Sequence, residues 1–156
     1  MNVKIDILND SSAAWVPEDG HCNEWIASAL ASVHYTKKCS ISLRFVDESE
    51  SRELNANFRG KDKPTNVLSF PANLPAEVVK QIGIEFLGDI VICASVLESE
   101  ALQQGKTIAA HWAHLTVHGT LHLLGFDHET ENEAQVMENL EIHALQQFGF
   151  TNPYQS

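Results

Sequence analysis

Three histidines spaced around one glycine constrain this chain more than any other feature: His118-Gly119-Thr120-Leu121-His122-Leu123-Leu124-Gly125-Phe126-Asp127-His128. On an α-helix, residues four apart share one face at about 6 Å, so His118 and His122 present two imidazoles side by side. Continuing the helix does not supply a third, because the next position on that face is Phe126 and any side chain there is carried past the pair. Gly125 offers the way out: it tolerates the left-handed conformation that ends a helix, after which the chain turns back and aims His128 at the same point. The fold must therefore hold a long helix that stops at Gly125 with three imidazoles converging at its end.

Three neutral nitrogen ligands with a fourth position open are the donor set of a catalytic zinc site, with Zn–N bonds of roughly 2.0–2.1 Å. The same imidazoles would also hold Ni²⁺ or Co²⁺, since affinity order does not favour zinc. The spacing H-x3-H-x2-G-x2-H is shared with the metzincin proteases, but Gly119 stands where they carry the glutamate that serves as general base. A zinc-activated water, with its pKa lowered to about 7, supplies hydroxide without that carboxylate. The residues alone thus point to a metal-dependent hydrolase in which another group stabilises the developing charge. Around the trio, His114 is placed to orient a ligating imidazole from behind, and Asp127 either accepts a hydrogen bond from one or caps the turn. His111 and Met137, at helical spacing from apolar neighbours, read as structural.

The charge balance limits the substrate. Ten Lys and Arg stand against twenty-one Asp and Glu, a net charge of −11, which argues against broad, non-specific nucleic-acid binding. The cations are unevenly placed, however: residues 107–156 contain none, while Arg59-Gly60-Lys61-Asp62-Lys63 puts three in five positions. The molecule as a whole repels polyanions, and one loop attracts them. Arg59 can make paired hydrogen bonds to a phosphate or a pentacoordinate transition state, with Lys61 and Lys63 holding the flanking backbone.

At 156 residues the chain suits one domain, 1–156, with no internal repeat or linker. Its start lacks the apolar stretch of a signal peptide, and no apolar run approaches the roughly 20 residues of a membrane span, so the expectation is a cytoplasmic protein with no membrane partner. Cys22, Cys39 and Cys93 are odd in number and far apart, which favours reduced thiols over a disulfide framework. Alternation predicts strands over 3–8, 40–46, 66–70 and 87–93; helical spacing predicts helices over 18–34, 48–58, 95–104, 108–124 and 131–148. In the second helix Leu54 and Phe58 share a face, and Asp89 inside an apolar strand needs a partner if buried. Trp15, Trp25 and Trp112 could stack bases, although the latter two lie on helices and read as packing. The order β-α-β-α-β-β followed by helices implies an α+β fold: a small mixed four-stranded sheet covered by helices, with the metal site at the end of a long helix.

Two separated segments add to this. Leu54-Asn55, then Phe58 through Pro71 (FRGKDKPTNVLSFP), with Leu87-Gly88-Asp89-Ile90-Val91-Ile92 and His118–His128, resemble the YbeY metallo-endoribonuclease family over roughly residues 40–150. The resemblance implies a zinc-hydrolase-like fold and a zinc-dependent, single-strand-specific endoribonuclease. It implies action in ribosomal RNA processing, notably at the 3′ end of 16S rRNA, and in ribosome quality control, so RNA and the ribosome are the expected partners. It also implies metal ligation by His118, His122 and His128 and a functional role for Arg59. Ser69 and Thr65 fall where a substrate groove would run along the third strand. Two other readings of the same residues are a metallopeptidase with its base outside the helix, Asp127 or Glu129 being first to test, and a ribosome-associated factor in which zinc only ties the helix end to the turn.

Overall fold

The computed structural model describes residues 3–154, so Met1, Asn2, Gln155 and Ser156 of the expected 1–156 domain lie outside the described residues. The elements run β1 (Val3–Asn9), α1 (Asp19–Ser32), β2 (Cys39–Val46), α2 (Glu48–Arg59), β3 (Val67–Pro71), α3 (Ala76–Ile82), β4 (Glu85–Cys93), α4 (Ala94–Gln104), α5 (Ile108–Leu123) and α6 (Glu131–Gln146). The sheet order is β1-β2-β4-β3, with β1-β2 and β2-β4 parallel and β3-β4 antiparallel. The mixed four-stranded sheet and its helical cover are as the alternation implied. One element is new: α3, in the β3–β4 connection, buries none of its residues and so carries no amphipathic signal.

The two faces of the sheet are covered separately. Cys39, Ile41, Leu43 and Phe45 of β2 alternate toward one face, joined by Ile90 and Ile92 of β4, and pack against α1, α5 and α6 through Trp25, Ile26, Trp112, Leu121, Met137 and Leu145. Val91 and Cys93 point the other way and meet Val46 and Leu68 under α2, with Leu54 half-buried against them. Trp25, Trp112 and Met137 are thus core residues, and Cys22, Cys39 and Cys93 are buried free thiols. Trp15 is exposed, and Asp89 is half-buried rather than enclosed in the core. Phe58 departs from expectation: Leu54 packs, but Phe58 at the end of the same helix is 66% exposed.

Helix α5 carries the histidines and runs through the interior with both ends fixed. Thr107 caps its start, accepting the N–H of Ala110 at 3.1 Å. Such a cap stabilises a helix by about 1 kcal/mol. Midway, Gly119 lets α5 press onto the sheet: a Cβ there would stand 2.8 Å from Ile90 Cγ2 and 3.3 Å from Ser69 Oγ. Ser69 uses the closeness, its hydroxyl donating to the Gly119 carbonyl at 3.0 Å. Ile90 is β-branched and cannot swing its methyl aside. Gly119→Ala therefore overpacks the helix–sheet contact by about 1–3 kcal/mol, against a helix-propensity gain of about 1 kcal/mol. The expected net result is a melting temperature lower by a few degrees, read by thermal unfolding; a rise would show that the sheet can retreat from α5.

Candidate metal centre

The turn after α5 decides whether three imidazoles meet. Gly125 adopts φ of 98°, its N–H bonds the His122 carbonyl at 3.0 Å, and the Phe126 N–H bonds the Leu121 carbonyl at 3.1 Å. The chain reverses, and Asp127 Oδ1 accepts the His128 backbone N–H at 2.8 Å. Asp127 thus caps the turn, one of its two expected roles. The His128 ring then sits 5.6 Å from that of His118 and 5.2 Å from that of His122, centroid to centroid.

The nitrogen positions fit a shared cation. One ligand atom from each of His118, His122 and His128 lies within 4.8 Å of the others, and the Nε2 atoms of His118 and His122 are 3.1 Å apart. Two ligands on bonds of 2.0–2.1 Å at tetrahedral angles stand about 3.3 Å apart. Burial, and then the neighbouring His118 and His128 rings, push the His122 imidazole down to about 4, so at neutral pH it is uncharged and keeps a lone pair to donate. Asp127 does not join the group, and a cleft of about 480 Å³ opens onto His118, His122 and His128 from the solvent side.

Behind the trio lies a residue that the sequence reading missed. Glu141 of α6 is fully buried. Its Oε2 is 3.2 Å from His118 Nδ1, and its Oε1 is 2.5 Å from His114 Nε2 and accepts the Tyr154 hydroxyl at 2.7 Å. Burial alone would raise the carboxyl, but hydrogen bonds from His114 and His118 outweigh it and hold Glu141 down at about 2. With Nδ1–H of His118 donated to this carboxylate, the Nε2 lone pair is left facing His122 and the cleft. His114 thus backs the trio, bonded to Glu141 and with its ring edge-on to that of His118 at 6.1 Å between centroids. His111 lies further back, its Nε2 3.0 Å from Glu100, which also accepts from Asn66, and burial lowers its pKa. Glu141→Gln is expected to weaken binding of a divalent ion about 10- to 100-fold while leaving the fold intact, measured by competition with a chelating dye. Unchanged affinity would deny Glu141 its orienting role.

The opposite wall is the cationic loop. Buried Ser51 and Asn55 of α2 pin it: Ser51 Oγ donates to the Thr65 carbonyl and accepts the Thr65 N–H, each at 2.9 Å, and Asn55 donates to the Lys63 carbonyl at 2.8 Å. Asp62, the loop's one acid, is drawn outward into a two-pronged pair with Arg52, at 2.7 and 3.0 Å. Among the described residues no carboxylate pairs with Arg59, Lys61 or Lys63, and all three line the cleft with the three histidines. Ser69, Thr65 and Asp127 line it too, whereas Trp15 does not.

Comparisons with known proteins bear on this arrangement. The family model described as Endoribonuclease YbeY matches residues 8–149. Among solved structures the chain is similar to the solution structure of TM1509 from Thermotoga maritima, at 24% identity and a TM-score of 0.57, covering 98% of this chain and 100% of that one. At that identity the second likeness speaks for the fold alone. With a match that takes in every element from the end of β1 to the end of α6, the chain belongs to the YbeY endoribonuclease family.

Proposed function

We propose that this chain is a zinc-dependent, single-strand-specific endoribonuclease that works in the cytoplasm as one domain over residues 1–156. In this reading it processes ribosomal RNA, including the 3′ end of 16S rRNA, and takes part in ribosome quality control, so its partners are single-stranded RNA and the ribosome. One observation carries the reading: three converging imidazoles and three unpaired cations face each other across a single cleft. An acidic protein with a net charge of −11 has little reason to set three unpaired cations opposite the histidines unless the substrate is itself an anion.

His118, His122 and His128 are the proposed ligands, with Glu141 and, through it, His114 fixing the first of them. A divalent ion held there supplies Lewis acidity, lowering the pKa of a water and polarising a phosphoryl oxygen. The rest falls to the chain's own groups. The fork of Arg59 pairs with the non-bridging oxygens of the scissile phosphate and gains strength as charge builds in the transition state. Lys61 and Lys63 hold neighbouring phosphates as point charges. Ser69, its hydroxyl committed to the Gly119 carbonyl, lends the groove wall its shape and a polar surface for the sugar. The packing at Gly119 leaves a peptidase no base on the helix, and of the two candidates outside it Asp127 has one carboxylate oxygen engaged by the His128 N–H.

The test is cleavage of a single-stranded RNA by the chain stripped of metal and then reloaded with Zn²⁺, with duplex RNA and casein as comparison substrates. Cleavage of the single strand that is lost on chelation and restored by zinc is the expected result. Full RNA cleavage by a verified metal-free sample would overturn the assignment. Chelator-sensitive digestion of casein without RNA cleavage would replace it by the peptidase.

A further inference from the structure

The exposed Phe58 ring adjoins the cationic loop, and it is not alone. It meets Phe70 of β3 edge to face, with ring centroids 4.8 Å apart. A second cavity, of about 620 Å³, lies along the same edge of the sheet and is lined by both rings. Arg59, Lys61 and Ser69 line this cavity and the cleft of the histidines alike, so the two are continuous across β3. Beta3 is an edge strand, and its residues alternate: Ser69 turns toward α5 and the cleft, while Phe70 turns toward α2 and Phe58.

We infer that Phe58, braced by Phe70, is a stacking platform for an unpaired nucleobase of the RNA, one that flanks the phosphate held at Arg59. The inference rests on the endoribonuclease reading and deepens it. An aromatic face next to cations is the pairing that single-stranded nucleic acid exploits, since bases stack while the backbone is neutralised. The neighbouring Arg59 and Lys61, with no carboxylate partners, suit a polyanion better than an apolar protein surface. The edge-to-face contact with Phe70 fixes the ring in place, so little side-chain freedom is lost when a base arrives. The platform also gives the strand preference a cause. A base inside a duplex has both faces covered by its neighbours and cannot lie on Phe58 without being unstacked.

The experiment compares the zinc-loaded native chain with Phe58→Ala and Phe58→Trp on a short single-stranded RNA, and on a series in which each base near the cut is removed in turn to leave an abasic ribose. Because Phe58 is mostly exposed and loses only its contact with Phe70, Phe58→Ala lowers the melting temperature by no more than a few degrees. Stacking is worth about tenfold or more in binding per base, so KM for the intact RNA rises by about that factor in Phe58→Ala and is restored in Phe58→Trp. At one abasic position the native chain and Phe58→Ala converge. If the native chain cleaves RNA and Phe58→Ala has an unchanged KM, the platform is overturned while the nuclease stands, and the ring falls to a protein partner or to none. If the native chain cleaves no RNA at all, the proposed function and this inference both fall.

Discussion

Replacing His122 by alanine is expected to abolish binding of the proposed zinc ion and with it the RNA cleavage, while the metal-free fold survives. His122 shares its Nε2 position with His118 across 3.1 Å, so its loss leaves two ligands from different segments. Residues that merely orient a ligand cost about 10- to 100-fold in affinity when removed, and a ligand itself costs more. A metal supplies several kcal/mol to such a transition state, so cleavage falls by about a thousandfold or more. The survival of the fold can be argued through protons. In the native chain without metal, folding holds His122 at about 4 against an ordinary 6.5. The unfolded state then binds the proton more tightly, and stability is lost as the pH falls from 6.5 toward 4, by up to about 3 kcal/mol. His111, lowered in the same direction by burial, adds to that slope and remains in the variant. Glu141 acts later: its stabilisation is full above about 4.5 and disappears as the pH approaches 2. Denaturant unfolding of the two metal-free proteins between pH 7 and 4 should therefore show a flatter loss in His122→Ala. Zinc retained at native stoichiometry, with cleavage intact, would remove His122 from the site.

How much of this could be read before the structure depended on whether a signal was local. The stop of α5 at Gly125 was legible, because a glycine at the end of an apolar-periodic run has a backbone reason to be there, and with it came the meeting of His118, His122 and His128. The strands were legible from alternation, and β3 and β4 shifted at their ends by one or two residues only. The loop's attachment was not, since Ser51 and Asn55 reveal their purpose only when Thr65 and Lys63 come back to them. Glu141 left a trace that was passed over: it falls four residues from both Met137 and Leu145, on the buried stripe of α6, where a carboxylate is costly unless something pairs with it. Phe58 misled in the opposite sense. Its spacing from Leu54 placed it on the packed face, but at the last turn of α2 it meets only the edge strand, touching Phe70 edge to face, and most of the ring stands out in solvent.

Arg59→Ala separates charge stabilisation from metal binding, which no histidine variant can do. Arg59 is exposed in the last turn of α2 and forms no ion pair among the described residues, so nothing in the fold depends on its guanidinium beyond a dipole interaction of about 0.3–1 kcal/mol. Zinc content and melting temperature should stay close to native. Cleavage should not: removing one preorganised donor from a developing anion costs about 10²- to 10³-fold in kcat. Arg59→Lys tells charge from geometry. If charge alone mattered, lysine would serve; if the paired hydrogen bonds of the planar fork matter, lysine recovers only part of the loss, because an ammonium cannot span two oxygens. Lys61→Ala and Lys63→Ala give the contrast, since groups that hold flanking phosphates equally in ground and transition states raise KM and leave kcat alone. An Arg59→Ala chain that binds zinc and turns over at the native kcat would leave the transition state without its proposed partner and reduce the loop to an electrostatic guide. A loss confined to kcat, with metal in place, would make Arg59 the group that distinguishes a nuclease cleft from a bare zinc site.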